Sequence, residues 1–180
     1  MSAFLSDEHR AVRMLDELRV PESIRGRYAR VLNPECNESE LVSIGLDMFG
    51  REQRLERGAA AQWRAMAATA GQEGIVLAAI SGFRSYDYQR ILIERKLAQG
   101  VPLEEIVRSS ALPGFSEHHT GRAIDIGTAD SPPLTEEFEH TPAFNWLTRC
   151  APEFGFSLSF PRGNTRGIIY EPWHWFYGRI

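Results

Sequence analysis

The hydrophobic pattern changes period near Pro113, and that change limits the folds open to this chain. Before it, apolar residues recur mostly at helical spacing; after it they gather into short runs of strand length. Residues 7–18 carry Val12, Leu15 and Leu18 at helical spacing, with Ser6 placed as an N-cap. Pro21 interrupts, a second short helix is predicted over 22–32, and turn formers fill 33–40. The strongest helical signal runs from 51 to 70, where Leu55, Ala59, Trp63, Met66 and Ala67 share a face and Gly71 and Gly74 close the segment. Residues 75–80 form an apolar run short enough to predict a buried strand, and helical spacing returns over 86–97 and 102–109. Beyond Pro113 the pattern predicts a loop feeding a strand at 123–126, a helix over 142–152, and strands at 156–160, 167–170 and 173–177. Helices first and strands later argue for an α+β domain, with helices packed on a small antiparallel sheet.

No repeat or linker divides the 180 residues, which are read as one domain: a helical segment over 1–45 and a core over 46–180. The net charge of −4 gives no electrostatic reason to expect DNA or RNA as a partner. Nothing approaches the run of roughly 20 apolar residues that a membrane span requires. The first 20 residues mix charged and apolar side chains, so no secretory core is visible. The expectation is a soluble cytoplasmic protein as written, or a cell-envelope one if the N-terminus is trimmed. Cys36 and Cys150 lie far apart and outside any CxxC pattern; one disulfide is the alternative to the expected pair of buried free thiols, and no thiolate metal site is expected.

The chemistry concentrates in two segments. One reads Ser116-Glu-His118-His-Thr-Gly121-Arg-Ala123-Ile-Asp125; the other reads Glu171-Pro-Trp-His174-Trp. A catalytic zinc takes three imidazole or carboxylate ligands and keeps a fourth position for water, whose proton a nearby carboxylate can accept. His118 and Asp125 flank a turn at Thr120-Gly121 that can bring both side chains to one point. Residues three apart on a regular strand face opposite sides, so Glu171 and His174 share a metal only if Pro172 breaks the strand. Each residue alone has an ordinary reading, as a packed histidine, a turn aspartate or a loop glutamate. Their joint occurrence points to a metal centre.

These segments, with Ser81-Gly-Phe-Arg84-Ser85 before them, resemble the zinc D,D-peptidases of the VanY and VanX type, whose fold is shared with Hedgehog domains. The three motifs stand in family order over residues 81–174, and the alanine-rich helix before them is similar as well. The resemblance implies His118, Asp125 and His174 as zinc ligands, Glu171 as general base, and Arg84 beside the scissile carbonyl as an oxyanion stabiliser. It places Ser116 and Gln89 at the substrate pocket. Ser85 is placed to cap the next helix, while His119 is expected behind the ligands or exposed. His9 and His140 are expected to be structural or solvent-facing, and Trp173, Trp175, Phe176 and Tyr177 to pack the core. The implied substrate is a peptidoglycan stem peptide ending in D-Ala-D-Ala. An L,D-carboxypeptidase, an L-alanyl-D-glutamate endopeptidase and a non-catalytic zinc-binding domain are the alternatives, with substrate choice assigned to loops such as 162–166.

Overall fold

A computed structural model describes residues 6–26 and 32–178. Helix α1 (Asp7–Glu17) begins at Ser6, whose hydroxyl accepts the His9 amide. Its buried face is Ala11, Met14 and Leu15, continued by Leu18. Val12, expected on that face, is 48% exposed, while Leu15 and Leu18 keep it and Ala11 and Met14 join them by packing on Tyr86. Helix α2 (Glu22–Arg25) covers the start of the predicted second helix, whose residues 27–31 lie outside the described ones.

The segment expected to open the long helix is instead a strand. Strands β1 (Leu41–Leu46) and β2 (Glu52–Glu56) form an antiparallel hairpin, so 41–45 departs from a purely helical N-terminal segment. Asp47 explains the departure. Its buried carboxylate accepts the amides of Phe49 and Arg51, the Arg51 guanidinium and the Gln53 amide. A turn held by one side chain overrides the helix propensity of the Arg-Glu-Gln-Arg run that follows. Helix α3 (Arg57–Gln72) starts only where the Glu56 carboxylate accepts the amides of Gly58 and Ala59.

The remaining helices follow the pattern closely. They are α4 (Tyr86–Ala98), α5 (Leu103–Ser109) and α6 (Pro142–Cys150), the last continued by a 3-10 turn over Ala151–Phe154. Ser85 caps α4 by accepting the Tyr88 amide. The main sheet joins β3 (Ala78–Ser81), β4 (Ala123–Gly127), β5 (Phe156–Leu158) and β6 (His174–Tyr177) in the order β3-β4-β6-β5, all antiparallel. No strand forms at 167–170. There the Asn164 side chain binds its own loop, through the carbonyls of Pro161 and Ile168 and the Arg166 amide, and leaves the backbone turned.

One face of the sheet packs Ile124, Ile126, Phe156 and Trp175 against Trp63 and Met66 of α3 and Trp146 and Leu147 of α6. The N-terminal helices pack elsewhere, placing Leu15, Leu18 and Ile24 against Ile93 of α4 and Ile106 of α5. Cys36 and Cys150 are free, and half-buried rather than buried. Among the described residues no helix is long and apolar enough to cross a membrane.

Gly121 is a point of close approach between hairpin and sheet. It has φ +66°, its carbonyl accepts the Glu56 amide, and a Cβ there would lie 2.9 Å from the Glu56 nitrogen. Gly121→Ala is expected to cost about 1–3 kcal/mol, through left-handed strain and overpacking together. Urea unfolding of the two proteins measures it as a lower midpoint.

Candidate metal and catalytic site

Antiparallel register does much of the assembly. Asp125 of β4 stands opposite both Ser81 of β3 and His174 of β6, so the three form one row across the sheet. β4 is buried along its whole length: Ile124 and Ile126 enter the core, and Asp125 takes the alternate face. His118 arrives from a 3-10 turn over Glu117–Thr120 that ends at Gly121. Imidazole and carboxylate atoms of His118, Asp125 and His174 all lie within 4.8 Å of one another, and all three side chains are buried.

Each imidazole is anchored at its outer nitrogen and converges at its inner one. His118 Nδ1 donates to the Gly82 carbonyl at 2.7 Å, leaving Nε2 3.2 Å from Asp125 Oδ2. His174 Nε2 meets Glu117 Oε2 at 3.1 Å, and its Nδ1 meets Asp125 Oδ1 at 2.9 Å. An imidazole tied at one nitrogen to a carbonyl or carboxylate offers the other at a fixed angle, as metal-ligating histidines do. Two imidazoles and one carboxylate suit a divalent ion of borderline softness. Burial, with Arg84 adding to it, pulls His118 down to about 4 and keeps it neutral, the form that can ligate. Burial also works against a charged His174, but Asp125 and Glu117 outweigh it and push this residue up to about 10. A metal ion taking Nδ1 would displace that proton.

Glu171 lies outside the strand. Residues 171–173 form a turn in which the His174 amide donates to the Glu171 carbonyl and the Trp175 indole to the Pro172 carbonyl. The expected break therefore exists, and it brings the Glu171 carboxylate to 3.9 Å from His174 Nδ1. Burial, then Asp125 and Glu117, raise Glu171 to about 7 against the opposing pull of His174 and Arg84. A carboxylate poised near neutrality suits general base chemistry.

Arg84 donates from Nε to the Ser81 hydroxyl, and from Nη2 to Asp125 Oδ2 at 2.6 Å and His118 Nε2 at 2.9 Å. It thus touches the converging atoms of His118 and Asp125 themselves. The loop that carries it is pinned on three sides. Gly82 and Phe83 donate backbone amides to Gln53 and Arg54 of the hairpin, and Arg84 donates its own to the His118 carbonyl. His119 secures the remaining side: Nδ1 donates to the Arg84 carbonyl at 2.6 Å, and Nε2 accepts the Gly114 amide. It is completely buried, which excludes the exposed alternative. His9 and His140 are exposed, whereas Trp173 and Trp175 pack in the core as expected.

All of this opens on a cavity of about 950 Å³, lined by Ser116, Arg84, Glu171 and the three converging residues. Gln89 is absent from its lining. It is buried, its amide donates to the Ala111 carbonyl, and its own carbonyl oxygen has no partner among the described residues. Glu117 is the residue that sequence reasoning passed over. Buried between two motif positions, it also accepts the Ser159 hydroxyl and pairs with Arg166. The visible signal was a carboxylate directly beside a ligand histidine, in a position with no assigned role.

Comparison with known proteins agrees with this geometry. A family model described as VanY, D-alanyl-D-alanine carboxypeptidase, matches residues 52–179. The chain is 31% identical over 170 residues to the Bacillus subtilis (strain 168) protein YodJ, covering 89% of this chain and 62% of that protein's length. It also resembles the solved LdcB LD-carboxypeptidase, with 32% identity and a TM-score of 0.69 over 81% of this chain and 70% of that one. A mutant of the vancomycin resistance D,D-pentapeptidase VanY, solved in complex with Zn(II), shares the fold at 23% identity and TM-score 0.61, over 82% and 86% of the two chains.

His119 yields a pH prediction. Burial chiefly lowers its pKa to about 3, whereas in the unfolded chain it titrates near the ordinary histidine value of 6.5. Between those values the unfolded state binds more protons, so stability falls as pH drops through that window. Thermal melts from pH 7 to pH 4 are expected to show a shallower pH slope for His119→Gln than for the parent, alongside a lower melting temperature at pH 7.

Proposed function

Because the chain belongs to the VanY D-alanyl-D-alanine carboxypeptidase family, we propose that it is a zinc-dependent peptidase releasing the C-terminal D-alanine of peptidoglycan stem peptides. The observation that carries this reading is the convergence of His118, Asp125 and His174 with the Glu171 carboxylate 3.9 Å from His174 Nδ1, at the floor of a peptide-sized cavity. His118 Nε2, an Asp125 oxygen and His174 Nδ1 would hold the ion. When bound, zinc polarises the scissile carbonyl and acidifies water.

The protein's own residues do the rest. Glu171 takes a proton from the attacking water and delivers it to the leaving amine; its burial and its pKa near neutrality fit both transfers. Arg84 is held by Ser81 and by the pinned loop beneath it; an ion on His118 Nε2 would displace its Nη2 from that nitrogen and leave the guanidinium beside the site, to face negative charge developing on the carbonyl oxygen. Glu117 fixes the ring of His174, and Gly82 that of His118. Ser116 lines the cavity wall beside them.

A second reading keeps the same chemistry and moves the scissile bond. The similarity to LdcB, a peptidoglycan-recognising LD-carboxypeptidase, favours a tetrapeptide substrate. D-alanine release from a stem pentapeptide and a tetrapeptide separates the two. Release from the pentapeptide alone is expected for a D,D-carboxypeptidase, and release from the tetrapeptide for an L,D one. Glu171→Ala should lower kcat on the order of 10²–10⁴-fold while retaining zinc, measured by metal analysis of the purified protein. Undiminished turnover in that variant removes Glu171 from the mechanism.

A further inference from the structure

Lysine occurs once in the 180 residues, at position 96, against 19 arginines. That single lysine lines the cavity. Histidines aside, the other cations of the lining are Arg51, Arg84 and Arg166, and each is committed. Arg51 pairs with buried Asp47, Arg84 with Asp125, and Arg166 with Glu117. Lys96 has no carboxylate within ion-pair distance among the described residues. Among the described residues its one hydrogen bond runs from Nζ to the Ser110 hydroxyl at 2.7 Å, with two of three donors unassigned there.

Its position is built. Tyr88, Leu92 and Lys96 stand four residues apart on α4 and all line the cavity, so they form one wall about 12 Å long. The wall begins just after Arg84 and Ser85 and ends at the lysine. Lys96 is half-buried, and burial lowers its pKa, with Arg84 adding and Glu171 opposing. Its charge is thus felt by both residues of the catalytic chemistry. The carboxylates that line the cavity, Glu117, Asp125 and Glu171, are gathered at the metal end. A partly desolvated ammonium that meets no counter-ion among the described residues is stabilised by an anion from the ligand.

We propose that Lys96 is a specificity residue of this cleft, its ammonium receiving a carboxylate of the bound peptide. The group is either the terminal carboxylate of the leaving residue or an acidic group further up the stem. The inference rests on the peptidase reading above and deepens it by assigning the cation that makes the site select an acidic peptide.

Binding without turnover tests it, by calorimetry on zinc-loaded Glu171→Ala. The probes are a stem pentapeptide with free carboxylates, the same peptide amidated at its C-terminus, and the same peptide amidated at its upstream carboxyl. Adding Lys96→Met is expected to weaken the free acid roughly tenfold or more, and Lys96→Arg to restore most of that loss. Amidating the group that Lys96 holds should produce the same loss in the parent and no further loss in Lys96→Met, which identifies the source. Equal binding of all three peptides to the parent overturns the proposal without any variant. So does unchanged binding of the free acid by Lys96→Met. Lys96-dependent binding in a protein whose wild type hydrolyses no stem peptide would sustain Lys96 and defeat the hydrolase reading. Absence of binding by any stem peptide overturns both.

Discussion

Asp125 sits at the centre of a sheet, in a strand buried along its whole length, and it is kept charged there. Desolvation alone would raise its pKa. Contacts with His118, His174 and Arg84 outweigh burial and hold it well below the usual carboxylate range. A charge in that position tolerates no loss of partners, because a buried ion left unpaired costs several kcal/mol. The partners come from three separate parts of the chain: the loop after β3, the turn before β4, and β6. Closing the sheet and assembling the site are therefore a single event. The register that places Ser81, Asp125 and His174 in one row is the register that neutralises the aspartate.

The adjacent histidines show how rigidity is distributed around that charge. His118 donates to the Gly82 carbonyl and His119 to the Arg84 carbonyl, so neighbouring rings grip both ends of one three-residue loop. Both are held neutral chiefly by burial, and a neutral ring has one donor and one acceptor to place. His118 presents its acceptor to the site; His119 spends its acceptor on the Gly114 amide. The same residue type thus faces the site at one position and braces a loop at the next, and the hydrogen bond at the far nitrogen decides which.

Much of the site was legible in the sequence because its residues fall in short segments with few local alternatives. His118 and Asp125 flank a glycine that must turn, and Pro172 lies in a turn that keeps Glu171 ahead of β6 and outside it. The hairpin was less legible. Residues 51–56 have helical composition, and what makes them a strand is pairing with β1 and the hydrogen bonds of Asp47, neither of which a local window contains. The absent strand at 167–170 failed in the opposite direction: β-branched residues suggested pairing, while the Asn164 side chain satisfied the turn first. Glu117 and Gln89 lie between these cases. Their residue types were visible, but whether each faced the cavity or a backbone carbonyl depends on packing that composition does not encode.

The segment before the hairpin carries none of the motifs, yet it is wired into the site. The Asn33 amide donates to the Gly114 carbonyl, the Cys36 amide to that of His119, and the Asn33 side chain to that of Phe115. Glu35 accepts the Tyr86 amide at the head of α4, and the Tyr86 hydroxyl returns to the Asn33 carbonyl. The minimal catalytic unit is therefore larger than the stretch that the chemistry marks. A boundary drawn at the first motif would keep His118, Asp125 and His174 and lose the backbone splint behind them. Variation in this leading segment can accordingly tune the geometry of the His118, Asp125 and His174 cluster from outside, without altering a residue that touches it.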